Sequence, residues 1–318
     1  MLRRALLAVA ASEQIRGFVT ATPATRAVVD RFVAGENIGD AVRVARSLRE
    51  AGLLVSLDYL GEDTTDADQA AAVATQYVHL IGKLAAEGLT DDGAVEVSVK
   101  PTAVGLLLGA AEGNGGVTAL GERTAVEHIE RIAIVAGDAG TTVTLDAEDH
   151  RTTDAALRIA STLRPRFPWL GSVVQAGLRR TEADVSELAA RGVRVRLCKG
   201  AYAEPVSEAF TARHDVDKSF ARCLRVLFEG PGYPMVATHD PRLISITRSL
   251  GLARGPDSFE YQMLFGVRPD EQRRLARDGA RVRVYVPYGG DWYGYLVRRL
   301  AERPANLAFF MRSLWSSS

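Results

Sequence analysis

Cysteine is nearly absent. Cys198 and Cys223 are the two in 318 residues, too few for a disulfide framework or a cysteine-based zinc site, so a reducing interior is the default setting. An excess of either charge is absent too. Lysine and arginine together number 39, as do aspartate and glutamate, which leaves no electrostatic case for a nucleic-acid partner. No stretch approaches the roughly 20 apolar residues of a membrane span. The histidines, His79, His128, His150, His214 and His239, are scattered without HExxH or similar ligand spacing. Neither a GxGxxG after a strand nor a GxxxxGK[ST] loop occurs, which argues against the standard nucleotide folds.

At the amino end, MLRRALLAVAAS has the two arginines and short apolar run of a signal peptide. It passes directly into EQIRGFV, however, and reads as a first amphipathic helix. Beyond it, close to half of the residues are apolar, as in an ordinary globular chain. Short β-branched and apolar runs predict strands at 53–57, 95–99, 142–145, 172–175, 193–198, 234–238, 258–263 and 281–286. Between them lie helical patterns such as ADQAAAVATQYVHLIGKLAAEG, GERTAVEHIERIAIVAGDAG and TEADVSELAARG. Several open on Thr, Ser or Asp and close on Gly. Strand alternating with helix implies a parallel sheet, and eight such units fit an α/β fold of the (β/α)₈ barrel type better than a doubly wound sheet. Residues 1–50 read as a helical extension and 51–318 as the barrel, with GNGGV after Gly113 as a loop.

Barrel enzymes place their chemistry at the carboxyl ends of the strands. The polar residues expected there are Asp58, Lys100, Asp146, Gln175, Arg196 with Lys199, Thr238 with His239, Glu260 with Gln262, and Tyr285. Lys100 could be a Schiff-base lysine or a fixed cation for an anionic substrate. LDAEDH, from Asp146 to His150, has the composition of a metal site, but Ala147 and the lack of a second cluster leave no complete ligand set. In RLCKGAY, Arg196 to Tyr202, a strand runs into a glycine turn that lets backbone approach a phosphate closely, with a lysine beside it. Near the carboxyl end stands YLVRRLAERPAN. On a helix, Arg298, Arg299 and Glu302 all fall within roughly 60° of Tyr295, with Leu296, Val297, Leu300 and Ala301 on the opposite side.

Together VSVKP, TLDAEDH, VVQAGL, RLCKGAY, VATHD, FEYQMLFG, RVYVPYG and YLVRRLAERPAN resemble, in order and spacing, the proline dehydrogenases, the FAD-dependent enzymes that open proline catabolism. The resemblance runs from about residue 50 to 306. It implies a distorted (β/α)₈ TIM barrel with the last helix over the mouth. It further implies that Lys100, Arg298 and Arg299 surround the carboxylate of L-proline, that Glu302 orients an arginine, and that Leu264 and Tyr295 wall the pyrrolidine ring. Asp146 and Tyr285 would line the substrate side as a hydrogen-bonded pair, and Arg196 would approach flavin N5, the atom that receives the hydride. For FAD, the implied contacts are Ala147 and Gln175 at the isoalloxazine, Lys199, Gly200 and Ala201 at the pyrophosphate, and Thr238 with His239 at the remainder. No metal is implied.

The product would be 1-pyrroline-5-carboxylate, passed to a separate pyrroline-5-carboxylate dehydrogenase because no aldehyde dehydrogenase region is present. A membrane quinone is the implied electron acceptor. The setting would be cytoplasmic, with peripheral contact to the inner face of the cytoplasmic membrane left open. Ala203 stands where the family often has a bulky residue, and AERPAN where AENGAN is more usual, which touches cofactor conformation and substrate range more than the reaction. The alternatives are a metal- or Schiff-base-dependent lyase or aldolase built on Lys100 and LDAEDH, and a non-catalytic barrel acting as a binding protein.

Overall fold

Alternation along each short run sets the architecture, because successive strand residues face opposite sides of a sheet. The computed structural model describes residues 29–111 and 116–296. The expected first amphipathic helix, the loop at Gly113, and Arg298, Arg299 and Glu302 lie outside these. Helix α1 (Ile38–Glu50) precedes β1 (Leu54–Tyr59), α2 (Ala67–Ala86), β2 (Val95–Val99), α3 (Ala119–Asp138), β3 (Val143–Leu145) and α4 (Thr153–Leu163). There follow β4 (Gly171–Gln175), α5 (Thr181–Ala190), β5 (Arg194–Cys198), α6 (Arg213–Glu229), β6 (Tyr233–Ala237), α7 (Pro241–Gly251), β7 (Glu260–Leu264), α8 (Pro269–Arg277) and β8 (Val282–Tyr288). Each strand pairs in parallel with the next, and β8 returns to β1 through the register Leu54↔Arg283 to Tyr59↔Tyr288, closing a (β/α)₈ barrel.

Helix ends follow their side chains. Asn37, Asp66, Thr118 and Asp240 each accept a first-turn backbone N–H of α1, α2, α3 and α7, satisfying donors that no helical carbonyl can reach.

The outward residues of the strands, among them Val55, Leu57, Val97, Val195 and Val284, pack with the apolar faces of the surrounding helices into one core. The inward residues differ. A barrel lumen is commonly filled with bulky aliphatic side chains, whereas here Ser56, Glu96, Ser98, Thr144, Arg196, Gln262 and Arg283 are buried in it. Charges so placed persist only if they are paired, and these are. Arg283 Nε donates to Glu260 Oε1 at 2.7 Å and its Nη1 to the carbonyls of Val55 and Gly93 at 2.9 and 3.1 Å. Arg194 Nη2 lies 3.1 Å from Glu96 Oε2. Burial alone would push the Glu96 pKa up, but Arg283, Arg194 and Arg196 around it hold the carboxyl well below its usual range.

The strand-end expectation is corrected for four residues. β7 begins at Glu260 rather than at Ser258, so Glu260 enters the lumen at the end opposite the mouth, where it balances Arg283. Arg196, Gln262 and Tyr285 are the middle residues of β5, β7 and β8 rather than standing at their carboxyl ends, because the strand pairing continues past each of them.

Helix α1 packs against β1 and β8, burying Ala41, Val42 and Ala45. It occupies the outer flank where the helix after β8 would lie in a regular barrel. After β8 the chain turns at Gly289, whose φ of 122° and approach to the Tyr59 ring, 3.0 Å from where a Cβ would stand, exclude a larger residue. A helical segment over 292–296 follows at the carboxyl ends of the strands. There Trp292, Tyr295 and Leu296 pack with Val29, Phe32, Val33 and Leu60 in a second apolar cluster.

Replacing Glu96 by glutamine leaves three guanidinium groups in the lumen short of one counter-charge. We expect E96Q to lose about 3 to 5 kcal/mol in denaturant unfolding. E182Q, which breaks the exposed pair with Arg222, should leave the transition in place.

Candidate active site

Seen from the mouth, the floor of the site is one hydrogen-bonded group of side chains from five strands. Asp146, one residue past β3, accepts the Tyr285 hydroxyl of β8 on Oδ2 at 2.7 Å. On Oδ1 it accepts Arg196 Nη1 at 2.6 Å and the Ser98 hydroxyl at 2.8 Å. Arg196 also donates from Nη1 to Ser98 Oγ at 2.8 Å, from Nη2 to Ser56 Oγ at 3.2 Å, and from Nε to Gln262. Its guanidinium carbon stands 5.2 Å from the centre of the Tyr285 ring, within cation–π range. Burial, together with the carboxylates of Asp146 and Asp58, pushes the Tyr285 pKa well above its ordinary value, so the phenol keeps its proton and donates. The group therefore combines a fixed cation with a fixed anion and exposes little of either: Arg196 is 4% accessible and Asp146 8%.

Beside it, Lys100 stands one residue past β2 with its ammonium 2.5 Å from both carboxylate oxygens of Asp58, which belongs to β1. Burial opposes the charge on Lys100, but Asp58 at contact distance, helped by Asp146, outweighs it and raises the pKa. Lys100 lines a cavity of about 230 Å³ with Leu60, Gly61, Glu62, Asp291, Tyr293 and Tyr295, so the start of the last helix and the loop after β1 form two of its walls. Leu264 ends β7 and is not among the residues lining that cavity; its N–H donates to His239 Nε2 at 2.9 Å. An accepting Nε2 places the imidazole proton on Nδ1.

On the other flank, Gln175 ends β4 and donates from Nε2 to the Glu148 carbonyl at 2.7 Å, bringing it against the backbone that carries Ala147. Gly200 adopts φ 95°, and a Cβ there would stand 3.0 Å from Gln175 Oε1. At Gly177 a Cβ would stand 2.7 Å from the Lys199 carbonyl. Two bare glycines thus let the turn at Lys199, Gly200 and Ala201 lie flat on β4. The Lys199 ammonium is engaged with Asp217 Oδ1 at 2.5 Å and Asp240 Oδ2 at 3.1 Å. Thr238 Oγ1 accepts the Asp240 N–H at 3.1 Å, tying the end of β6 to the same cluster.

The residues of LDAEDH disperse. Asp146 holds Arg196, Asp149 caps the turn before α4, and His150 meets Glu204. Among the described residues, no three His, Cys, Asp or Glu side chains converge as metal ligands.

A family model described as proline dehydrogenase matches residues 41–312. The chain is 36% identical over 316 residues to proline dehydrogenase 1 of Bacillus subtilis subsp. natto, covering 99% of each. It is 35% identical over 318 residues to the proline dehydrogenase of Deinococcus radiodurans, covering 99% of this chain and 98% of that one. The chain belongs to the proline dehydrogenase family. It is accordingly an oxidoreductase. Among solved structures, proline utilization A from Bdellovibrio bacteriovorus matches with a TM-score of 0.78 and 26% identity, over 87% of this chain and 33% of that much longer one.

Within this proline dehydrogenase fold, two acidic residues stand out whose roles the sequence left open. Asp58 was visible as a strand-end carboxylate, but its grip on Lys100 depends on the β1–β2 register. Glu148, 5% accessible, accepts the Thr102 N–H at 3.0 Å and the Thr102 hydroxyl. Burial, opposed by those hydrogen bonds and by Lys100, pushes its pKa up to about 8 from the usual 4.5. The folded protein therefore keeps Glu148 protonated where an unfolded chain releases the proton. Stability is whole below pH 4.5 and declines by about 1.4 kcal/mol per pH unit as pH rises toward the folded-state value. E148Q removes this term, so its melting temperature should match wild type near pH 4.5 and exceed it increasingly up to pH 8.

Proposed function

We propose that this chain catalyses the FAD-dependent oxidation of L-proline to 1-pyrroline-5-carboxylate, with electrons passed on to a membrane quinone and the product taken up by a separate pyrroline-5-carboxylate dehydrogenase. We assign residues 1–50 to a helical extension and 51–318 to the catalytic barrel. The observation that carries the reading is the buried Arg196–Asp146–Tyr285 group close to Lys100, which lines a small cavity together with Tyr295. A volume of about 230 Å³ lies below the usual range of drug-sized sites, which suits a small amino acid.

The residues present fit FAD. Gly200 and Gly177, lacking Cβ atoms, let the turn at Lys199 to Ala201 pack flat on β4 beside Gln175, and its backbone would meet a pyrophosphate. Ala147 and Gln175 would face the isoalloxazine, with Thr238 and His239 toward the remainder. Arg196, positive and fixed by three strands, supports an anionic ring placed above it. FAD supplies the hydride acceptor; the protein supplies position and charge. Lys100, Arg298 and Arg299 would hold the substrate carboxylate by charge-assisted hydrogen bonds, the helical spacing putting both arginines on the face of Tyr295, with Glu302 orienting one of them. Leu264 and Tyr295 would wall the ring. With its anion gripped on one side, the substrate amine is left beside Asp146 and Tyr285, where it must be unprotonated before the C–H bond can break.

Two points set the lyase reading aside. A Schiff-base lysine must be neutral to attack a carbonyl, whereas Lys100 is clamped by Asp58 and held protonated. The cluster at LDAEDH is spent on internal hydrogen bonds. No helix among the described residues is long and apolar enough to cross a membrane, so encounter with a quinone would be peripheral.

Anaerobic titration of the purified protein with L-proline tests the reading: stoichiometric bleaching of the flavin absorbance is expected, and a colourless protein that cannot be reconstituted with FAD overturns it. Changing Arg298 or Arg299 to Met should raise the KM for proline by the equivalent of about 2 to 5 kcal/mol at unaltered flavin content. Unaltered proline kinetics in both variants would remove the two arginines from the substrate site.

A further inference from the structure

The segment after β3 has side chains facing two different loops. On one side, Glu148 accepts the N–H and the hydroxyl of Thr102. Thr102 in turn accepts the Asp63 N–H on Oγ1 at 2.9 Å and the Thr64 N–H on its carbonyl at 3.2 Å. Asp63 sits at φ 56°, a left-handed conformation that a residue other than glycine holds only when its surroundings impose it. The residue before it, Glu62, lines the cavity beside Lys100. On the other side, the His150 N–H donates to Glu204 Oε1 at 3.1 Å and the ring nitrogen Nδ1 lies 2.6 Å from Glu204 Oε2. Glu204 belongs to the loop after β5, three residues beyond Ala201. The far part of that loop is anchored separately, by Phe210 N–H on the Gly177 carbonyl and Arg179 N–H on the Glu208 carbonyl, each at 2.8 Å. Without His150, the stretch nearest Lys199 to Ala201 would lose its tie to β3.

We propose that Glu148 and His150 are positioning residues that anchor the substrate-side loop and the cofactor-side loop to one rigid segment, Glu148 through Thr102 and His150 through Glu204, the two loops touching each other through a long hydrogen bond from the Tyr202 hydroxyl to Glu62 Oε2 at 3.4 Å. The names given to the two loops rest on the function proposed above; the two clamps do not. Each clamp engages both oxygens of one acidic side chain in buried or half-buried hydrogen bonds, which fixes direction as well as distance. Glu62 is thereby kept at the cavity wall, and the backbone at Gly200 is kept against Gln175.

Hydrogen–deuterium exchange on the full chain, read by mass spectrometry, tests the clamps with no ligand added. Loss of one buried hydrogen-bonded carboxylate should speed exchange about tenfold in the loop it holds. E148A is expected to do so over 60–66 and not over 199–206, H150A and E204A to do the reverse, and E148Q, which can accept the Thr102 N–H and donate its amide N–H to the Thr102 hydroxyl oxygen, to behave as wild type. If E148A does not fold, T102V takes its place with the same expected outcome. The kinetic counterpart is a split: E148A raises the KM for L-proline about tenfold at wild-type flavin content, while H150A weakens FAD binding about tenfold with the KM unchanged at saturating FAD. Both loops loosening together in any of these variants, or neither loosening, overturns the proposal. A wild-type protein whose flavin is not bleached by proline would instead overturn the functional reading, and the exchange pattern would still decide the clamps.

Discussion

Arg196 is the interaction on which the rest of the molecule depends. A guanidinium in the middle of a barrel lumen is stable only while carboxylates stand above and below it. Asp146 does so toward the mouth at 2.6 Å and Glu96 toward the opposite end at 3.5 Å. Glu96 is shared with Arg194 and Arg283, and Arg283 brings in Glu260. The charges thus form a chain through the barrel axis, from the closed end to the site. Because each member is held by at least two strands, the position of the cation below the mouth is set by the closure of the whole sheet rather than by any one loop.

That arrangement divides labour between the two sides of the sheet. The outward aliphatic residues and the helices supply the hydrophobic stabilisation, which frees the inward residues for polar chemistry. The cost of a polar lumen is met by pairing, and the same pairing preorganises the site: Tyr285, Asp146, Ser98 and Arg196 have their directions set by mutual hydrogen bonds before any ligand arrives. Lys100 follows the same logic at the edge of the network. Its charge is kept by Asp58 and therefore remains available as a fixed positive site rather than as a nucleophile.

The departure from a regular barrel serves the mouth. With α1 on the flank of β8 and β1, the chain after Gly289 is released to run across the carboxyl ends of the strands. Trp292, Tyr295 and Leu296 find there an apolar partner in Val29, Phe32, Val33 and Leu60. Residues from before the first strand and after the last one thus meet above the site, and Tyr295 and Lys100 share one cavity although they are far apart in the chain.

Local patterns determined much of this. Eight β-branched runs separated by helical periodicity, with Asn, Asp or Thr at helix starts, specify the barrel, since period and capping act over a few residues and need no distant partner. The strand-end rule likewise brought out Asp58, Lys100, Asp146 and Gln175, and the order of short motifs carried the family. What the chain could not state alone was depth and pairing. Glu260 and Arg196 look in sequence like mouth residues, but register places one at the closed end and the other mid-lumen. Glu148 reads as one acidic residue among several, and only its burial against Thr102 makes it a neutral acid. Which carboxylate balances which cation depends on distant neighbours, Asp58 and Lys100 being 42 positions apart and Glu96 and Arg196 100 apart, and those meet only when the sheet closes.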